Sequence, residues 1–240
     1  MSIVIGISGW KSSGKDTMAD YLVNDYGYTR VAFADVLKEM VATQYNIPLN
    51  SCHETALKEE PLIQFPVESK DGFGSLIHDF MVKEFRTKSG KAPQELAVTD
   101  TGTLGMIVNS DGTYGHWEEV FWTPRALCIL EGSVKRSINS SYWVQRVIDK
   151  VNDMTELDPR AKFVISDMRY QSEVSQLEDA WPDTLATCRV SRFSSSPSSD
   201  PSERDLDGYP LDYIIDNVDT LSELYQNVDD MVAVAEGSIL

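Results

Sequence analysis

The chain has 240 residues, 42% apolar and 25% charged, enough to bury one substantial core or one core with a small appended lobe. It holds no run of 18 or more apolar residues, and Met1 leads straight into Ile3-Val4-Ile5-Gly6-Ile7 without a basic leader, so the sequence reads as neither membrane-spanning nor secreted. A formal net charge of −17 argues against a nucleic-acid partner, because binding the phosphate backbone requires a basic face.

Ile3 to Ile7 is a short continuous apolar run, the pattern of a strand buried on both faces of a parallel sheet. After a Gly/Ser/Lys loop, Ala19, Leu22, Val23 and Tyr26 fall at i, i+3, i+4 and i+7 and predict a helix. Thr29 to Phe33 reads as a second strand, and helical spacing resumes from Asp35, a candidate N-cap, to about Tyr45. This βαβα order favours an open, doubly wound sheet. Residues 48–120 carry Pro48, Pro61, Pro66 and Pro93, with a hairpin signal at Asp111-Gly112 between two β-prone stretches. They are read as an inserted substrate lobe.

Two helices are expected near 124–132 and 141–154, then a buried strand at 162–166 ending at Asp167. A helix over 171–180 and a strand from Leu185 to Val190 follow. Residues 193–202 (FSSSPSSDPS) are of low complexity, and composition alone makes them a surface linker. Their place after Arg189 and Arg192 leaves a lid over 192–210 as the alternative. A short strand (Tyr213 to Ile215) and a helix (Leu221 to about Val234) close the chain. Cys52, Cys128 and Cys188 show no CxxC pair and no metal spacing, which fits three reduced thiols in a cytoplasmic protein. His53, His78 and His116 are scattered, without metal-ligand partners.

Charge is uneven along the chain. From residue 191 onward two basic residues face eleven acidic ones, whereas between 121 and 150 Arg125, Lys135, Arg136, Arg146 and Lys150 face only Glu131 and Asp149. A basic island in an acidic protein suits a small anionic ligand better than a polymer.

Gly9-Trp10-Lys11-Ser12-Ser13-Gly14-Lys15 fits G-x-x-x-x-G-K between a predicted strand and a predicted helix, the context this phosphate loop needs. Its glycines let successive backbone N–H groups turn toward phosphate oxygens, and the helix N-terminus adds partial positive charge. Lys15 supplies a point charge for the β- and γ-phosphates. The Ser or Thr that usually follows is here Asp16, then Thr17. A carboxylate is also a hard ligand for Mg²⁺, and Asp16 as an ordinary first-turn helix acid is the competing reading. Gly9, Lys11, Ser12, Ser13, Gly14, Lys15, Asp16 and Thr17 are therefore the expected ATP-binding set.

The string SGWKSSGKDTMADYL, with Asp in the Ser/Thr position, resembles the deoxynucleoside monophosphate kinases of tailed bacteriophages. Pro124-Arg125-x-Leu127 with Gly132-Ser133, then Tyr142-Trp143-Val144, Asp167-x-Arg169-x-x-x-Glu173 and Ser202-Glu203, recur in that family's order. The resemblance implies a three-layer P-loop fold with a central parallel sheet, nucleoside monophosphate kinase-like, and the reaction ATP + dNMP → ADP + dNDP. It places Lys38, Arg125, Gly132, Ser133, Trp143, Asp167, Arg169 and Glu173 near the monophosphate, and the basic island adds Arg136. It makes Lys15, Arg125, Arg169 and Asp167 the catalytic set, ATP and Mg²⁺ the cofactors, and a dNMP the small-molecule partner. It further implies supply of phage DNA synthesis in the cytoplasm of an infected host. A homodimer is left open.

The chemistry is consistent with that implication. A nucleoside monophosphate is its own nucleophile, since the second phosphate pKa is about 6, and what it requires is positioning and charge neutralisation. Guanidinium groups grip phosphate in a bidentate way, which singles out Arg125 and Arg169. The bland readings are a surface ion pair for Arg125, a core position for Trp143, and for Asp167 a part in orienting Arg169. The alternatives in function are a P-loop kinase of another phosphorylated metabolite or small alcohol, a non-catalytic nucleotide switch, and a kinase of modified bases in DNA.

Overall fold

The computed structural model describes residues 2–62, 82–83, 86, 89–91, 95–98, 102–107, 116–192, 204–218 and 220–237. The chain divides into two units, one formed by Met1–Val36 with Ser141–Leu240 and the other by Leu37–Ser140.

The first unit is a three-layer α/β structure. Its strands are β1 (Ile3–Ser8), β2 (Thr29–Val31), and those at Lys162–Ile165, Leu185–Ser191 and Tyr213–Asp216, which we number β6, β7 and β8. The sheet order is β2-β6-β1-β7-β8 and every pairing is parallel. Because β6 separates β1 from β2, the chain crosses over after β1, and the loop leaving β1 opens at the carboxyl edge of the sheet, where ligands of such folds bind. All six residues of β1 are buried, as a central strand covered on both faces demands.

Helix α1 (Lys15–Tyr26) turns Met18, Ala19 and Leu22 inward. The C-terminal helix Leu221–Gly237 (α7) contributes Leu224, Val228, Met231 and Val232 to the same core as Ile5, Ile7, Val164 and Cys188. Tyr21 and Tyr26 of α1 both donate to Asp229 of α7 (2.8 and 2.6 Å), and Tyr21 stacks on Tyr225. Helices α5 (Tyr142–Leu157) and α6 (Gln171–Ala180) complete the unit. A Cβ on Gly6 would lie 2.5 Å from Met168 Sδ, so β1 accepts only glycine there without a shift of that side chain.

The second unit contains most of α2 (Phe33–Gln44), the short α3 (Leu49–His53), and α4 (Pro124–Ile138). It also holds an antiparallel sheet β3 (Glu95–Val98), β4 (Gly102–Ile107) and β5 (His116–Phe121). Its core gathers Val41, Tyr45, Cys52, Trp122, Leu127, Leu130 and Val134. Glu131 is 1% exposed, and its Oε1 accepts from Gln44 Nε2 at 2.9 Å and from the Tyr45 hydroxyl. Antiparallel pairing of β4 with β5 agrees with the β-prone stretches flanking Asp111-Gly112, and the turn itself lies outside the described residues. So do Pro66, Pro93, His78, the 193–202 tract and Ser202-Glu203.

Several boundaries differ from those expected. Strand β2 stops at Val31 and Phe33 already opens α2, so Asp35 lies in the first turn and is not the N-cap. The capping group comes from a distant part of the chain. Asp167 Oδ1 and Oδ2 accept the backbone N–H groups of Phe33 (2.9 Å) and Ala34 (3.0 Å), satisfying two of the orphan donors of α2. Helix α4 runs to Ile138 rather than 132, and α7 to Gly237. Among the described residues no helix is long and apolar enough to cross a membrane, and the three cysteines are free thiols.

Candidate nucleotide-binding site

The loop between β1 and α1 adopts left-handed backbone at Gly9 (φ 148°), Ser12 (φ 62°) and Gly14 (φ 110°). A Cβ on Gly9 would lie 2.3 Å from the Val190 carbonyl and 2.7 Å from Ser13 Oγ, and one on Gly14 would lie 2.4 Å from Asn217 Nδ2. Gly9 is thus required by space as well as by conformation, and Gly14 by its left-handed backbone. Lys15 opens α1, and its Nζ donates to the carbonyls of Gly9 (2.6 Å) and Trp10 (2.7 Å), which carries the ammonium back across the loop. The Ser13 carbonyl accepts from Asn217 Nδ2 at 2.8 Å, and the Asn217 N–H bonds the Ser191 carbonyl at 2.7 Å. These bonds tie the loop to the ends of β7 and β8.

A cavity of about 280 Å³ opens at this point, lined among others by Ser12, Lys15, Asp16, Thr17, Arg192 and Asn217, with Leu221 and Leu224 of α7 on its apolar side. A second cavity of about 210 Å³ adjoins it at Asn217 and Leu224. Lys15, Arg192 and the first turn of α1 line one opening, a residue set that suits the phosphates of a nucleotide. Ser13 Oγ is buried without a hydrogen-bond partner, a polar atom left over in the loop floor. Asp16 is suited to a hard cation, but its carboxylate pairs with Arg30, which also holds Asp20 at 3.1 Å and Ser166 Oγ at 2.9 Å. With its side chain 80% exposed, Asp16 is open to ligand exchange. No cluster of three His, Cys, Asp or Glu suited to a metal occurs among the described residues.

Trp10, inside the loop, is fixed from outside it. Its Nε1 donates to Asp207 Oδ1 at 3.0 Å, the Arg189 guanidinium pairs with the same carboxylate and lies 5.8 Å from the indole centroid, and Arg189 Nη1 donates to the Leu206 carbonyl at 3.1 Å. Lys11 is exposed.

The remaining predicted residues fall in several environments. Asp167 stands just beyond β6, where desolvation pushes its carboxyl up while the Ala34 and Phe33 amides and the Arg169 charge oppose the rise. Arg169 is exposed, and its backbone N–H donates to Glu173 Oε2 (2.7 Å), which also accepts from the Tyr170 N–H (3.0 Å). Glu173 is therefore engaged as the third-position acid of a capping box whose N-cap is Tyr170. Trp143 is 4% exposed and meets Tyr142 edge-on, a core position on α5.

In the second unit, Gly132 is buried and a Cβ built on it would lie 3.3 Å from Leu37 Cδ2, and Ser133 and Arg136 are exposed on α4. Arg125, near the start of α4, pairs with Glu59, and Lys38 Nζ lies 3.4 Å from His53 Nδ1. Reasoning from sequence missed Arg192 and Asn217. Neither carries a local motif, and both reach the cavity only because β7 and β8 end beside the phosphate loop.

No protein-family model matches the chain, and no curated protein sequence matches it. Solved structures of similar outline include a gluconokinase from Sinorhizobium meliloti 1021, 12% identical with a TM-score of 0.41 over 98% of this chain and 94% of that one. A dephospho-CoA kinase from Campylobacter jejuni is 11% identical, with a TM-score of 0.47 over 99% of each chain. The chain's own topology and loop define its class: a P-loop α/β protein with a five-stranded parallel core sheet.

Proposed function

We propose that the protein transfers the γ-phosphoryl group of ATP to deoxynucleoside 5′-monophosphates, with Mg²⁺. The observation that carries the phosphoryl-transfer part is the loop itself, in which Gly9 and Gly14 take left-handed backbone and Lys15 lines a cavity at the N-terminus of α1. In this reading the loop amides and Lys15 hold the β- and γ-phosphates, and Arg192 adds a second cation. Leu221 and Leu224 give the base an apolar flank. Asp16 would hold Mg²⁺, which when bound supplies charge neutralisation across the phosphates, and the Thr17 hydroxyl would bond the α-phosphate.

The monophosphate acceptor rests on the resemblance to the phage kinases and on the basic residues 121–150. An alcohol acceptor would need a base to take its proton, whereas a phosphate dianion needs none and is served by added cations, which the basic residues 121–150 supply. The resemblance assigns it Lys38, Arg125, Gly132, Ser133, Trp143, Asp167, Arg169 and Glu173, and the basic island adds Arg136.

The test is ADP formation from ATP and Mg²⁺ with each of the four dNMPs, the four NMPs and no acceptor, alongside Lys15→Ala and Arg125→Ala. Turnover with dNMPs, abolished in Lys15→Ala and crippled in Arg125→Ala, is the expected result. Failure of every monophosphate with ATP binding intact would leave the P-loop reading standing and remove the acceptor assignment.

A further inference from the structure

Arg125 is held by an anion from its own unit. It follows Pro124 at the start of α4, and its Nε donates to a carboxylate oxygen of Glu59, on the short 3₁₀ turn Leu57–Glu59. Among the described residues this is the guanidinium's one hydrogen bond. It uses the inner nitrogen, so both terminal Nη groups remain for a ligand. Each side chain of the pair is 48% exposed. A solute can therefore reach the pair, and such exposed ion pairs add little to stability, so its conformational effect on Arg125 is the more telling property.

Lys38 is a second cation of this unit: burial pushes the Cys128 thiol up to about 12, and the charges of Lys38 and Arg125 both oppose that rise. Lys38 in turn lies 3.4 Å from His53 Nδ1.

We infer that Glu59 is a positioning residue for the acceptor phosphate: by holding Arg125 through Nε, it presents Nη1 and Nη2 together to a phosphate monoester. The inference rests on the assignment of Arg125 to the acceptor made above. Bidentate recognition depends on the plane of the guanidinium, and a plane fixed beforehand loses less freedom when the ligand arrives. The opposing effect is repulsion between the Glu59 carboxylate and the phosphate. That repulsion acts across the guanidinium at a half-exposed site where solvent and salt screen it, so the orienting effect prevails. If Glu59 were instead a competing anion that the phosphate must displace, its removal would tighten acceptor binding.

The experiment is steady-state kinetics on the full chain with a dNMP that it turns over, comparing Glu59→Ala, Glu59→Gln, Arg125→Lys and the Glu59→Ala/Arg125→Lys double variant. Glu59→Ala is expected to lower kcat/KM for the acceptor about 10-fold, with the KM for ATP and the melting temperature unchanged. Glu59→Gln keeps most of the activity, because its amide oxygen still accepts from Nε. In the Arg125→Lys background Glu59→Ala has little further effect. A lowered acceptor KM in Glu59→Ala, or an equal loss in both backgrounds, overturns the inference. Should Glu59→Ala fold poorly, Glu59→Asp replaces it: the shorter acid withdraws from Nε and is expected to lose activity that Glu59→Gln retains. Arg125→Lys indistinguishable from the parent would instead remove the acceptor role of Arg125 on which the inference stands.

Discussion

The Lys15 ammonium bonds the Gly9 and Trp10 carbonyls, so it is held close to the position that phosphate oxygens would take and needs only a short swing to reach them. Under the proposed function Lys15→Ala would remove a charge needed as bond order shifts between phosphates, and is expected to lower ADP formation by about 10²-fold or more. Lys15→Arg should not restore it, since a planar fork does not replace a compact ammonium inside a tight loop. Gly9 offers a harsher test. An alanine there is strained at φ 148° and its Cβ collides with the Val190 carbonyl, a backbone atom that cannot step aside. Gly9→Ala should cost about 1–3 kcal/mol of stability from strain alone, read as a lower urea midpoint with loss of ATP binding. Gly27, also left-handed but with nothing within 4 Å of a built Cβ, should tolerate the same change with only the strain penalty.

At the scale of elements, α2 begins where Asp167 receives its first two amides. Asp167→Ala should destabilise the protein by about 0.5–2 kcal/mol, measurable by denaturant unfolding, while Asp167→Asn keeps one acceptor and loses less. Because desolvation raises the Asp167 carboxyl above its ordinary range, the folded state binds this proton more tightly than the unfolded chain. Its contribution is then fully present below the unfolded pKa and is lost as pH rises through the folded pKa, and Asp167→Asn should flatten that part of the pH–stability curve.

The same contact shows what the sequence makes legible. An apolar pentad, a glycine-framed loop and an i, i+3, i+4, i+7 stripe are local signals, and β1, the loop and α1 follow them within a residue or two. The start of α2 was misplaced because its cap lies 134 residues away from Phe33, and local reading turned to the nearest acid, Asp35. Arg192 and Asn217 were invisible for the same reason: strand order, not spacing, brings them to the cavity. Glu173 had a local signal, an acid three residues into a helix, and the structure uses it as a cap.

For the whole molecule, the net charge of −17 sets which anions can approach. Under the proposed function a mononucleotide would present two or three charges to a local cationic site, held by contacts a few ångströms long. Duplex DNA presents a charge every 1.7 Å or so along its axis, and would have to lay that line against a surface with 38 acidic and 21 basic residues. Salt screens such repulsion beyond about 10 Å at 0.1 M, but it cannot make an acidic surface release condensed counterions in favour of binding. Saturating duplex DNA, plain or carrying modified bases, is therefore expected to leave dNMP turnover unchanged at both low and physiological salt. ATP with Mg²⁺ at 100 times its dissociation constant should stabilise the protein by about 2.7 kcal/mol, or roughly 5–10 °C in melting temperature for a chain of this size, and DNA should produce no shift. A DNA-induced shift that survived in Lys15→Ala would mean that the acidic surface conceals a separate polymer site, and the kinase of bases within DNA would become the better reading.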